Sequence, residues 1–150
     1  MIRRAATGDV GLVMAISRAA FAESAAFPYP SSALRETWDD IEAAVATGTF
    51  LLIEKGRAVG ACRFRLHQQA LVFARLCVLP ARRRKGHASD LLGAIQAHAL
   101  TAACMRVECS ARSAFPDNRP FYQRRGYEVV GYEDVYGVKN LRTNLVLKLA

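Results

Sequence analysis

The stretch Leu76-Cys77-Val78-Leu79-Pro80-Ala81-Arg82-Arg83-Arg84-Lys85-Gly86-His87-Ala88-Ser89-Asp90-Leu91-Leu92 decides the fold. An apolar run suited to a strand ends at Val78, and Pro80 turns the chain. A run of cations from Arg82 to Lys85 leads to Gly86, where a helical pattern begins. The first turn of a helix carries backbone N–H groups with no internal partner, and the helix dipole adds to their positive potential. Phosphate oxygens bind at such an end. Gly86 lets a ligand approach the backbone closely, and Ala88 is nearly as small. On charge alone the run also fits a solvated basic loop, a nucleic-acid patch or a nuclear-import tract. The order strand, turn, cations, glycine, helix is what favours phosphate.

Working outward, Leu91, Leu92, Ile95 and Ala99 form the apolar stripe of a helix over residues 86–103. A strand over 105–110 follows, and a strand–helix–strand unit of this length predicts parallel strands in a right-handed crossover. Upstream of the strand at 71–78, two further strands at 49–54 and 58–66 flank Lys55-Gly56-Arg57, a hairpin signal. The spacing of Val10, Val13, Met14, Ser17 and Phe21 predicts a helix over 9–24. Phe27-Pro28-Tyr29-Pro30 then breaks it. Ser31 or Ser32 caps a second expected helix reaching residue 46, with Leu34, Trp38, Ile41 and Val45 as its apolar stripe and Gly48 as its stop. Beyond the central unit come a short helix over 119–125, ended by Gly126, and strands at 127–135 and 143–149. This order gives an α/β protein: one mixed sheet with helices on its faces.

The totals agree with one domain. The chain has 150 residues, 52% hydrophobic and 23% charged, an ordinary globular balance. No apolar run approaches the ~20 residues of a membrane span, and the first residues do not read as a secretory signal. The four cysteines, Cys62, Cys77, Cys104 and Cys109, form no Cys-x-x-Cys pair and do not cluster with histidine, which argues against a metal site. They read as small buried hydrophobes in a reducing compartment, so a cytoplasmic protein is expected. The net charge of +8 points to an anionic partner.

Val78-x-Pro80-x-x-Arg83-x-x-Gly86-x-Ala88-x-x-Leu91-Leu92 resembles the acetyl-CoA signature of the GNAT superfamily of N-acetyltransferases. The later run Asn118-Arg119-Pro120-Phe121-Tyr122-Gln123-Arg124-Arg125-Gly126-Tyr127 resembles that family's Phe-Tyr-x-x-x-Gly element, and Ile2-Arg3-Arg4-Ala5 with the helix after it resembles the family's opening strand and helix. The resemblance implies a single domain with a largely antiparallel twisted sheet of six to seven strands flanked by about four helices. It implies acetyl-CoA as acyl donor, with Leu76, Cys77 and Val78 on the strand edge beside the pantetheine arm. Arg83, Arg84, Lys85, Gly86, His87, Ala88 and Ser89 would hold the pyrophosphate. Tyr122 takes the position of the acid that protonates the departing thiolate. Two departures stand out: Arg84 occupies a position that is very often Gly, and His87 one that is usually apolar. The family's Asn commonly stands seven residues before the tyrosine, where this chain has Phe115; Asn118 is four before it and is the candidate for a cofactor contact or a helix cap.

Acyl transfer to an amine needs a neutral amine, a positioned thioester, a polarised carbonyl and an acid. A strand N–H near Cys77 or Val78 is the expected polarising group. Glu108 alternates with Val107 and Cys109 and so faces away from them. It is the candidate base, with an ion pair to Arg75 or Arg106 as the bland alternative. Phe27, Tyr29, Glu36 and Trp38 are candidates for the acceptor site, and Glu133 and Asp134 for attracting a cationic amine. The function expected is N-acetyltransfer from acetyl-CoA to a primary amine; the alternative is a CoA-binding sensor or scaffold. No membrane partner is expected, a homodimer is left open, and a nucleic-acid partner is disfavoured because no aromatic-rich binding strand accompanies the basic run.

Overall fold

A computed structural model describes residues 1–112, 118–134 and 141–149. Seven strands lie among them: β1 (Ile2–Arg4), β2 (Thr49–Glu54), β3 (Arg57–His67), β4 (Ala70–Val78), β5 (Arg106–Arg112), β6 (Glu128–Glu133) and β7 (Arg142–Lys148). The α-helices among the described residues are α1 (Val10–Phe21), α2 (Trp38–Thr47), α3 (His87–Thr101) and α4 (Arg119–Gln123). The strand order is β1-β2-β3-β4-β5-β7-β6. β1/β2, β2/β3, β5/β7 and β6/β7 pair antiparallel. β4 and β5 pair parallel, Leu71 opposite Val107, as the strand–helix–strand pattern requires. This is the largely antiparallel mixed sheet with four helices that the sequence implied.

By backbone contacts the chain forms two compact units. The first comprises Met1–Arg65 and Phe73–Ala97. Its core gathers Val10, Val13, Ile16 and Ala20 of α1, Ile41 and Val45 of α2, and Leu51, Ala61 and Cys77 of the strands. Gly60 on β3 leaves room for α3: a Cβ there would meet the Cys77 carbonyl at 3.0 Å and Leu91 Cδ1 at 3.3 Å. The second unit comprises Leu66–Val72 and His98–Ala150, and among its described residues Leu71, Ala99, Val107, Cys109, Tyr122, Tyr127 and Leu145 are buried. No described helix is long and apolar enough to cross a membrane.

Two helical expectations need correction. α1 stops at Phe21, and residues 22–26 tighten into a 3₁₀ turn. The expected second helix starts six residues late. Ser31 caps only a one-turn 3₁₀ segment, Ser32–Arg35, and Glu36 is extended. The cap that opens α2 is Thr37: its side chain accepts from the Asp40 N–H while Asp40 accepts from the Thr37 N–H. A reciprocal capping box satisfies two orphan donors where the serine satisfies one. Leu34 therefore lies outside α2, and Trp38 at its first position is 51% exposed rather than part of the core stripe. The opening strand, expected only from the resemblance, is present as β1. The expected strand at 127–135 ends at Glu133, and residue 135 lies outside the described residues, as does Phe115.

Candidate active site

In the first unit β4 leads into the loop before α3. Arg75, inside β4, has a φ of +55°. That left-handed conformation is rare for a residue with a Cβ and marks a local kink of the kind a bulge makes. Past it, Cys77 and Val78 are both buried. Burial pushes the Cys77 thiol up to about 12, against the pull of Arg83, Arg63 and Arg75. Cys77 is thus a protonated, unreactive thiol at ordinary pH.

The loop carries two left-handed residues, Arg84 at φ +64° and Gly86 at +83°. Arg84, standing where Gly is usual, keeps the conformation a glycine would adopt, and a non-Gly residue there costs about 1 kcal/mol. Nothing lies within 4 Å of a Cβ built at Gly86. Asp90 N–H donates to the Gly86 carbonyl at 3.0 Å, the start of the α3 ladder, so the amides of His87 and Ala88 before it point out of the helix end. An open cradle, an outward helix end and adjacent cations suit an anion such as a pyrophosphate.

The side chains of the basic run divide. Arg83 turns back into the protein: Nε donates to the Val78 carbonyl (3.1 Å), Nη2 to the Ala20 carbonyl (3.0 Å) and Nη1 to Glu23 (2.8 Å). His87 Nε2 lies 2.9 Å from Glu54 Oε2, and Arg82 Nε 3.5 Å from Glu54 Oε1. Hydrogen bonding from His87 lowers the Glu54 carboxyl below its ordinary value. Arg84 and Lys85 are exposed. Of the cationic side chains proposed for the cofactor, Arg83 therefore staples the loop to the end of α1. Glu23 and Glu54, which hold the loop, carried no local signal in the sequence because each lies some thirty residues or more from its partner.

The acceptor candidates on this unit also divide. Tyr29 is 49% exposed, Phe27 is half-buried, and Trp38 covers Gly11 of α1, whose built Cβ would touch the indole at 3.5 Å. Glu36 is taken up by arginines: Arg63 makes a two-point contact at 2.6 and 2.8 Å, and Arg75 Nε lies 3.5 Å away.

In the second unit Tyr122 is buried in α4, at 5% exposure, edge-on to Phe121 and tilted against Tyr127. Gly126, at φ +92°, closes the helix as expected. Asn118 is the N-cap residue by position; its carbonyl accepts the Tyr122 N–H at 3.1 Å, but its side chain makes no capping bond. Glu108 on β5 faces away from buried Val107 and Cys109, and Arg106 Nε donates to it at 3.0 Å. The ion pair expected as the bland alternative is thus present with Arg106, whereas Arg75 is engaged with Glu36 and Ser32. Glu133 accepts from Asn144 at 2.9 Å and lies 3.7 Å from Arg142.

The family model of the acetyltransferase (GNAT) domain matches residues 46–129. No curated protein matches the sequence significantly. Solved structures match in fold. The PaiA N-acetyltransferase of Thermoplasma acidophilum, in complex with coenzyme A, superposes with a TM-score of 0.82 at 13% identity, over 99% of this chain and 98% of that one. An N-acetyltransferase of Staphylococcus aureus Mu50 gives 0.79 at 18% identity, over 100% and 98%. The ribosomal-protein-S18-alanine N-acetyltransferase of Escherichia coli gives 0.81 at 13%, over 100% and 94%.

Proposed function

The chain belongs to the GNAT acetyltransferases, and on that premise we propose that it moves an acetyl group from acetyl-CoA to a primary amine by direct transfer. The observation that carries this is the loop before α3. Its two left-handed residues and the open space over Gly86 form a cradle for a pyrophosphate, and three structural neighbours named above are N-acetyltransferases, one of them bound to coenzyme A.

Acetyl-CoA supplies an activated acyl group. The amides of Gly86, His87, Ala88 and Ser89 hold the pyrophosphate, with Arg84 and Lys85 adding charge from exposed positions. Arg83 keeps the loop in this shape through its bonds to Val78, Ala20 and Glu23. Leu76, Cys77 and Val78 present the strand edge to the pantetheine arm, and an N–H there polarises the carbonyl. The amine nitrogen bonds to the carbonyl carbon as the carbon–sulfur bond breaks. By its place in the Phe-Tyr-x-x-x-Gly element Tyr122 is assigned as the acid that gives its phenolic proton to the departing sulfur, and Glu108 as the base that takes the amine proton through water. The ion pair with Arg106 fixes the Glu108 carboxylate in place. Asn118 is assigned a cofactor contact through its uncommitted side-chain cap position. The neutral Cys77 thiol argues for transfer without an acyl-cysteine stage.

The test combines thermal melting with acetyl-CoA and CoA release across an amine panel. A melting shift with turnover is expected. No shift at millimolar acetyl-CoA sinks the reading, and binding without any turnover favours the sensor alternative.

A further inference from the structure

His87 is the first residue of α3, and its imidazole is tethered: Nε2 lies 2.9 Å from Glu54 Oε2, with the side chain only 13% exposed. Glu54 is the last residue of β2, 33 positions earlier in the chain. Its other oxygen, Oε1, lies 3.5 Å from Arg82 Nε, and the field of Lys85 reaches the same carboxylate. One carboxylate thus touches both the cation that opens the basic run and the residue that opens the helix. Between them, Arg83 is held by Glu23 and by the Val78 and Ala20 carbonyls.

The two departures from the family pattern in this loop fit together. Where glycine is usual, Arg84 holds a φ of +64°. A strained residue of this kind persists only where its surroundings fix the chain on both sides of it. The Arg83 bonds fix the side toward β4, and the His87–Glu54 contact fixes the side toward α3. An apolar side chain at position 87 could not make that second tie. By charge alone Glu54 works against an anionic ligand, since like charges repel. Its contribution to a phosphate site therefore comes through the groups it holds. A first helical turn already in place spares the ligand the entropy of ordering it.

Resting on the acetyl-CoA half of the acyl-transfer reading, we propose that Glu54 is a positioning residue for the cofactor. Through His87, with Arg82 as a second point, it fixes the start of α3 so that the amides there meet the pyrophosphate already aligned.

Isothermal titration of the full chain with acetyl-CoA tests this without a known acceptor. Glu54→Ala and His87→Ala should each raise Kd about five- to tenfold, the scale of one charge-assisted hydrogen bond. Glu54→Gln keeps an acceptor for the imidazole and should recover part of that loss. The double alanine variant should bind no more than about twofold more weakly than either single one, because both remove the same bond. The free variants should melt within about 5 °C of the wild type. A larger drop in both single variants assigns the bond to the fold and overturns the inference. Unchanged or tighter binding by Glu54→Ala, the result expected of a bare counter-charge, overturns it too, as do additive losses in the double variant. A wild-type protein that binds no acetyl-CoA at millimolar concentration sinks the acyl-transfer reading instead.

Discussion

Replacing Gly86 with alanine separates a loop built for a ligand from a loop built for the fold. Gly86 sits at φ +83° and its missing Cβ would meet nothing within 4 Å. In the free protein the substitution therefore costs backbone strain alone, about 1–1.5 kcal/mol. A chain of 150 residues has an unfolding entropy near 0.3 kcal/mol/K. The free protein should melt about 3–5 °C lower. Acetyl-CoA at a hundred times its Kd stabilises the wild type by about 2.7 kcal/mol, or about 9 °C. If phosphate oxygens occupy the space over Gly86, the new methyl costs binding about 2 kcal/mol, as overpacked contacts do. At the same ligand concentration the shift then falls to about 3 °C. Differential scanning fluorimetry with and without acetyl-CoA reads both numbers. A variant that keeps the full 9 °C shift refutes the cradle. One whose free form loses more than about 10 °C shows that Gly86 serves the fold, a cost the open space does not predict.

Arg83→Met should lower the melting temperature by about 3–6 °C, since it removes three contacts including those to the Val78 and Ala20 carbonyls, together worth about 1–2 kcal/mol; an unchanged melt would show that the staple holds nothing. Tyr122→Phe keeps the buried ring but removes the proton, so kcat should fall about a hundredfold with KM for acetyl-CoA unchanged, and a flat kcat would place the acid elsewhere. Gly60→Ala should cost about 1–3 kcal/mol, because its Cβ meets the Cys77 carbonyl at 3.0 Å, a backbone atom that cannot rotate away; urea denaturation measures it. Hydrogen bonds from Arg3 and from the Ala6 N–H hold Asp9 at about 2, below its ordinary 3.8. A depressed carboxylate stabilises the fold above its unfolded value, and this support is lost as pH falls from about 4 through about 2. The melting temperature of Asp9→Asn should therefore trail the wild type at neutral pH and converge with it near pH 2, and a constant gap would contradict the assignment.

Much of this molecule was legible because its signals are local. The strand at 49–54 stands where its apolar run placed it, and Gly126 takes the positive φ that a helix-closing glycine should. The loop before α3 was readable because strand, proline, glycine and helix follow one another within a dozen residues. α2 was misplaced by a competition between two local signals: Ser31 and Thr37 both cap, and only the reciprocal partner Asp40 decides between them. Asp40, three residues after Thr37, carries that signal within the sequence itself. The direction of the Arg83 side chain was not, since Glu23 and the Ala20 carbonyl are brought to it by packing in the first unit. The same holds for Glu36, which a sequence presents as a free acid and the fold presents as the anchor of two arginines.

The left-handed conformation of Arg75 has a consequence for engineering. Glycine would adopt the same φ with less strain but could not reach Ser32 or Glu36, while a larger neutral side chain would keep neither benefit. The course of β4 and the charge beside it are written in a single codon. Libraries that randomise position 75 should then yield mostly variants with a misshapen strand, and those that leave Arg75 in place should keep its course.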